Sequence, residues 1–223
     1  MTLRTLRLAF IAVFAVSITN IALADPYSEQ DLWWSLKCSY GVDPLAHKDQ
    51  TKPFEKGKSL VFPPIIMELK AEKLGEGIAP LLKEYWGHKA FFFVFPFRLG
   101  KQWMALRVTK DDSFLIPEIL DSSEKPLEAL ANKMWSNIQR TLPEWPKSEA
   151  LTVLNNLVQP DSDSSGPILI FNLLNQGQRE PRRLTVAEVD TIREEHNALL
   201  GERDKAPGNT GFKKIFSVFK PKQ

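Results

Sequence analysis

Cysteine is almost absent from this chain: Cys38 stands alone in 223 residues. A single thiol excludes an intramolecular disulfide. With histidine limited to His47, His88 and His196, a Cys/His metal cluster is excluded as well. An excess of charge of one sign is also lacking. Setting aside Arg4 and Arg7, basic and acidic residues balance at 27 each, so no global field favours nucleic acid. Phosphate-cradling glycine loops, dinucleotide-binding glycine patterns, metal-ligand spacings and internal repeats are missing. No cofactor is expected. What remains is ordinary globular composition, 43% hydrophobic and 25% charged, in a length that suits one domain with tails.

The N-terminus is different in kind. Arg4 and Arg7 precede an almost wholly apolar run from Leu8 to Leu23, and Ala22-Leu23-Ala24 is a small-x-small pattern before Asp25. This is the order of a secretory signal peptide. The apolar run is about 16 residues, shorter than the roughly 20 a membrane span needs. The sequence therefore predicts export with residues 1–24 removed, and periplasm, medium or a host cell as the destination.

Residues 25–59 read as an N-terminal approach segment. A helix is predicted over 29–40, with Ser28 as N-cap and Gly41 as the stop; of Trp33 and Trp34, one is expected in the core and one on the surface. Pro63-Pro64 breaks a short apolar stretch at 60–66, and 67–85 reads as helix interrupted near Gly75 and Gly77. Residues 90–97 (AFFFVFPF) form a continuous apolar run. Residues 102–109 follow with Trp103, Ala105 and Arg107 facing one way and Met104, Leu106 and Val108 the other. Residues 114–120 make a third strand, with Pro117 marking an edge or irregularity. Short polar turns between them predict an antiparallel meander.

A helix is expected over 127–140, a fourth strand over 151–158, and a buried helix from 167 to 176. An amphipathic helix over 184–200 should start with a Thr185–Glu188 capping box and carry His196 on its exposed side. The tail 202–223 holds six Lys/Arg against two acids and interleaves Phe212, Ile215, Phe216 and Phe219 with lysines. It reads as flexible, with weak membrane contact as its one expected activity.

The stretch Gln159-Pro-Asp-Ser-Asp-Ser-Ser165-Gly166 stands out. A polar loop that ends in a small residue and Gly and then opens a buried element is a common way to present a nucleophile. Upstream, one strand begins Gln102-Trp103 and the next ends Asp121-Ser122. This ordered set resembles the ubiquitin-like-protein-specific cysteine proteases, the clan of SUMO proteases and the adenoviral protease. In that family a strand starts His-Trp, the following strand ends Asp-Ser, and a Gln stands six residues before a Cys-Gly pair. The resemblance spans residues 60–201. It implies a papain-like α+β fold with a mixed or antiparallel sheet of four or five strands and flanking helices.

The departures lie at the chemistry. The resemblance puts the family's His on Gln102 and its Cys on Ser165, while Asp121 keeps the orienting acid and Gln159 the oxyanion position. Trp103 and Gly166 fall at the groove. A carboxamide accepts no proton near neutral pH, and a serine hydroxyl needs a base more than a thiol does. His88 and Cys38 are the alternative base and nucleophile, neither at the family's spacing. The expectation is a degenerate protease that binds a protein, ubiquitin or a ubiquitin-like modifier, and no nucleic acid. An active hydrolase or acyltransferase on Ser165, served by another base, is the alternative, and a structural envelope protein the third.

Overall fold

The apolar run at 90–97 becomes the central strand because both of its faces are covered. Strand β4 (Phe92–Leu99) carries two parallel neighbours on one side, β2 (Ser59–Val61) and β3 (Ile65–Met67), separated by Pro63-Pro64. On its other side β5 (Gln102–Lys110) runs antiparallel, and β6 (Phe114–Leu120) pairs antiparallel with β5. The meander is therefore present, with β4 and β5 joined by a turn at 100–101. The chain is described here by a computed structural model for residues 27–46, 49–111, 114–142, 146–161, 163–174 and 182–205. The expected signal peptide at 1–24, His47, Ser162, residues 175–176 and the tail beyond 205 lie outside these residues.

The outer strands make the sheet mixed. Strand β1 (Phe54–Lys56) pairs antiparallel with β2, while β7 (Lys147–Ser148) and β8 (Thr152–Leu154) both lie parallel to β6. Pro117 sits where β6 changes partner, since β7 covers 114–115 and β8 covers 118–120. A residue without an N–H is tolerated at such a gap. The expected fourth strand at 151–158 is split, because β9 (Leu157–Val158) leaves the main sheet and pairs parallel with β10 (Arg182–Arg183).

Strand alternation assigns the two faces as the sequence predicts. Phe93, Phe95, Phe97, Met104, Leu106 and Val108 are buried with α2 (Ile78–Tyr85) and α3 (Glu128–Arg140). Val94, Trp103, Ala105 and Leu120 are buried on the opposite face with α1 (Glu29–Ser39) and α4 (Ser165–Leu174). The result is a mixed sheet between two helical layers, an α+β fold. A fully buried Phe stabilises by roughly 1.5–3 kcal/mol relative to exposure, so the Phe93–Phe95–Phe97 row is a large share of the first core. The helix expected over 67–85 is confined to α2, because Gly75 has φ +82° and packs against Ile138 and Met134 too closely for a side chain.

Helix α1 starts at the predicted cap. Ser28 Oγ accepts from Asp31 N–H at 3.1 Å, and Asp31 Oδ2 accepts from Ser28 N–H at 2.9 Å. Gly41 ends it at φ +66°. The expectation that one of Trp33 and Trp34 would be exposed fails: both are buried, as α1 is packed between α4, α5 and the sheet. Lys37 on the same helix is fully buried. Its ammonium donates to Gln50 Oε1 and lies 4.6 Å from the Trp33 ring centroid. Burial pushes it down from 10.5 to about 8.

The unfolded chain thus binds more protons than the folded one between about pH 8 and 10.5, so stability rises with pH through that window. At neutral pH the full cost of burying the charge is present. Replacing Lys37 by Met should therefore stabilise the protein at pH 7 by about 1–2 kcal/mol, net of the lost Gln50 and Trp33 contacts. The gain should shrink as the pH rises from about 8 to 10.5. Equal denaturation midpoints at pH 7 for the two proteins would contradict this.

Candidate functional site

Helix α4 is apolar nearly throughout (SGPILIFNLL), and Ser165 to Ile170 are all buried. Pro167 falls in its first turn, where the missing N–H costs nothing. Ser164 precedes it: its carbonyl accepts from Ile168 N–H at 3.2 Å, and its hydroxyl donates to Asp161 Oδ1 at 2.6 Å. Arg193 of α5 (Val186–Lys205) donates to the same hydroxyl at 3.2 Å and lies 3.8 Å from Asp161 and 3.3 Å from Asp190. These contacts tie α5 to the loop ahead of Ser165. The Thr185–Glu188 capping box that starts α5 is formed, with Thr185 N–H donating to Glu188 at 2.8 Å.

The β5–β6 ladder begins only at Ala105–Leu120, so on the side away from β4 the backbone N–H of Trp103 meets α4 and not a neighbouring strand. Trp103 N–H donates to Ser165 Oγ at 3.0 Å, which places the start of β5 directly beside the nucleophile position. Gln102 and Gln159 form a reciprocal amide pair. Gln102 Nε2 donates to Gln159 Oε1 at 3.1 Å, and Gln159 Nε2 donates to Gln102 Oε1 at 3.0 Å. Ser122 closes this group, donating to Gln159 Oε1 at 2.9 Å and accepting from Gln102 at 3.3 Å. Gln159 N–H also donates to the Ser122 carbonyl at 2.8 Å.

The sequence-predicted positions are thus only partly united. Gln102, Gln159 and Ser122 share one hydrogen-bonded group, and Ser165 joins through the backbone of Trp103. Asp121 does not take the orienting role expected of it. Its carboxylate is buried and accepts from Ser123 N–H at 2.9 Å and from Leu127 N–H at 3.1 Å. It caps the turn after β6 and the start of α3, whose N-cap residue offers no side-chain hydrogen bond. The carboxylate accepts one backbone donor on each oxygen, and Ser122 is the residue that reaches Gln102. The Asp121-Ser122 pair was visible in the sequence, but which member faces the site depends on the twist at the end of β6.

His88 is excluded as a rescuing base. Its Nδ1 accepts from Ala90 N–H at 3.1 Å and its Nε2 lies 3.6 Å from Glu55. It stands at the start of β4, whereas Gln102 pairs with Leu99 at the far end. The strand between them is 8 residues long, a rise of roughly 25 Å. Cys38 is half-buried near the end of α1.

Two expected groove residues are covered. Trp103 is 1% exposed and its indole N–H donates to the Tyr27 carbonyl at 2.9 Å. Gly166 lies under the Tyr27 ring, where an added Cβ would stand only 3.0 Å away. The Tyr27 hydroxyl is 2.8 Å from His196 Nδ1 on α5. His196 is therefore buried, at 6% exposure, against the expectation of an exposed residue. It was misread because α5 is covered by α1 and Tyr27 from a distant part of the chain. Burial pushes the imidazole down from 6.5 to about 4 and, with the Asp31 charge beside it, holds the Tyr27 phenol well above its ordinary value. Both groups are neutral at pH 7. Neither Tyr27 nor Arg193 carried any motif that singled it out.

No protein-family model matches the chain, and no curated protein matches it. Solved structures do. The Legionella pneumophila effector protein RavZ is 11% identical over 72% of this chain and 58% of its own, with a TM-score of 0.47. The Rickettsia bellii effector protein RickCE is 17% identical over 66% of this chain and 57% of its own, with a TM-score of 0.44. The chain thus spans less than two thirds of either effector. The SUMO protease Ulp1 is 13% identical over 82% of this chain and 80% of its own, with a TM-score of 0.46. The solved structures that this α+β chain resembles thus include two bacterial effector proteins and a SUMO protease, the kind of enzyme whose motifs its sequence resembles.

Proposed function

We propose that this is an exported protein of ubiquitin-like-protease fold that binds a protein partner without cleaving it. One observation carries the reading: the position of the family's catalytic imidazole is held by Gln102, whose amide is engaged with Gln159 and Ser122. Ser165 meets a backbone donor there, not a proton acceptor. An amide pair neither takes the serine proton nor stabilises an imidazolium. The partner we favour is ubiquitin or a ubiquitin-like modifier, met at the rim of Gln102 and Gln159, and the destination is a host cell.

Ubiquitin and SUMO carrying a C-terminal fluorogenic amide provide the test. No release above buffer is expected. Turnover abolished by Ser165→Ala would overturn the reading in favour of a hydrolase with another base. The double change Gln102→His with Ser165→Cys is expected to regain activity, since it restores base and nucleophile and Asp121 keeps acceptor sites beyond its two backbone bonds. Immobilised modifier should retain the wild-type protein and lose it on Gln102→Arg with Gln159→Arg. Equal retention of the two would remove the groove as the binding surface.

A further inference from the structure

Tyr27 is buried and makes three contacts near Ser165. Its carbonyl accepts the Trp103 indole N–H, its ring rests on Gly166, and its hydroxyl meets His196. Gly166 follows Ser165 on α4 and the Trp103 backbone N–H donates to Ser165 Oγ, so Tyr27 contacts both residues that adjoin the nucleophile position. Ser165 itself is 1% exposed. The contacts are those an extended peptide makes in a groove: a main-chain carbonyl fixed by a donor, an aromatic ring on a glycine, and a polar tip satisfied at depth.

The attachment of this segment allows it to leave. The α1 capping box uses only Ser28 and Asp31, and the apolar face of α1 that is buried in the core begins at Leu32. Residue 27 can lift without unwinding the helix behind it. The seat it would vacate is built from fixed elements: Trp103 on β5, Gly166 on α4 and His196 on α5.

We infer that the seat of Tyr27 is a peptide-binding subsite beside Ser165, which the chain fills with its own N-terminal segment and which an extended peptide bearing a phenol ring can occupy in exchange. The inference rests on the groove reading above and names the chemistry that part of the groove accepts. Gly166 leaves room for a flat ring, the Trp103 indole fixes the carbonyl of the same residue, and His196 favours a hydroxyl at the ring's far end.

The lone cysteine makes the test clean. In the full chain carrying Cys38→Ser and Ser165→Cys, the only thiol is buried next to Gly166, on which the Tyr27 ring rests, and its alkylation by iodoacetamide reports how often the seat opens. Adding Tyr27→Ala should raise the labelling rate on the order of tenfold or more, because the burial that holds the segment down is gone. The acetylated peptide Asp-Pro-Tyr-Ser-Glu-Gln-Asp at millimolar concentration should then slow labelling again, and the same peptide with Ala for Tyr should not. Unchanged labelling on Tyr27→Ala, or no protection by the tyrosine peptide, would overturn the inference. If Tyr27→Ala does not fold, as judged by near-UV circular dichroism, Tyr27→Phe takes its place. It keeps the ring and removes the hydroxyl–imidazole contact, and the same two outcomes decide. No modifier protein enters this assay, so its failure is distinct from failure to capture ubiquitin or SUMO.

Discussion

Replacing Trp103 by Ala is expected to lower the unfolding free energy by about 3–5 kcal/mol, the range for removing a buried Trp or Phe side chain. Trp103 is 1% exposed and lies in the core formed with Leu32, Trp33, Val94, Ala105 and Leu169. The Arg98 guanidinium stands 5.4 Å from its ring, and its N–H holds the Tyr27 carbonyl. The truncation therefore removes packing, a cation–π contact and a buried hydrogen bond together. Trp103→Phe should cost less, about 1–2 kcal/mol, since most of the ring survives and the main loss is the donor to a buried carbonyl. Urea denaturation measures both, and the slope should stay near the wild-type value. A cost below about 1 kcal/mol for the Ala variant would mean that Trp103 is a surface residue of an open groove.

The second large effect is acid lability centred on His196. Its folded pKa, about 4, lies below the ordinary 6.5, so between these values the unfolded state binds more protons than the folded state. Stability is full above about pH 6.5 and is lost as the pH falls toward 4. A shift of this size corresponds to about 3 kcal/mol. The groups that face His196 are the Tyr27 hydroxyl, at 2.8 Å, and Arg193 one turn earlier on the same helix. Asp31 bears on the Tyr27 end. Among the described residues, burial alone accounts for the lowered imidazole, with no ion pair to His196. Carboxylates elsewhere also titrate toward pH 4, so the difference between wild type and His196→Gln isolates the effect. The two stability profiles should converge as the pH falls from 6.5 to 4. Parallel profiles would show that His196 is solvated when the protein is folded.

Both effects arise where the sequence was hardest to read. The strands were legible because a fully buried central strand must be apolar at every position, as 93–97 are, and because alternation in 103–108 separates two faces. The caps at Ser28 and Thr185 were legible because a capping box is a contact between residues three apart. The neighbourhood of Gln102-Trp103, Gln159 and Ser165 was readable only through the order of motifs along the chain. The structure brings them together through Trp103 and the amide pair.

What the amino-acid sequence determined by itself was therefore local: which residues form strands and helices, which face of each is apolar, and that position 102 carries an amide and position 165 a hydroxyl. What the tertiary structure decided was the use of those groups. Periodicity marks a face but not what covers it, so both Trp33 and Trp34, and His196, are buried by the packing of α1, α4 and α5, where the sequence puts one tryptophan and the histidine on the surface. The contact between Tyr27 and His196 joins residues 169 positions apart, and no local signal encodes it. Asp121 could orient a base or cap a turn with the same carboxylate. The fold chose the cap, because the N–H groups of Ser123 and Leu127 are the donors that the end of β6 delivers to it.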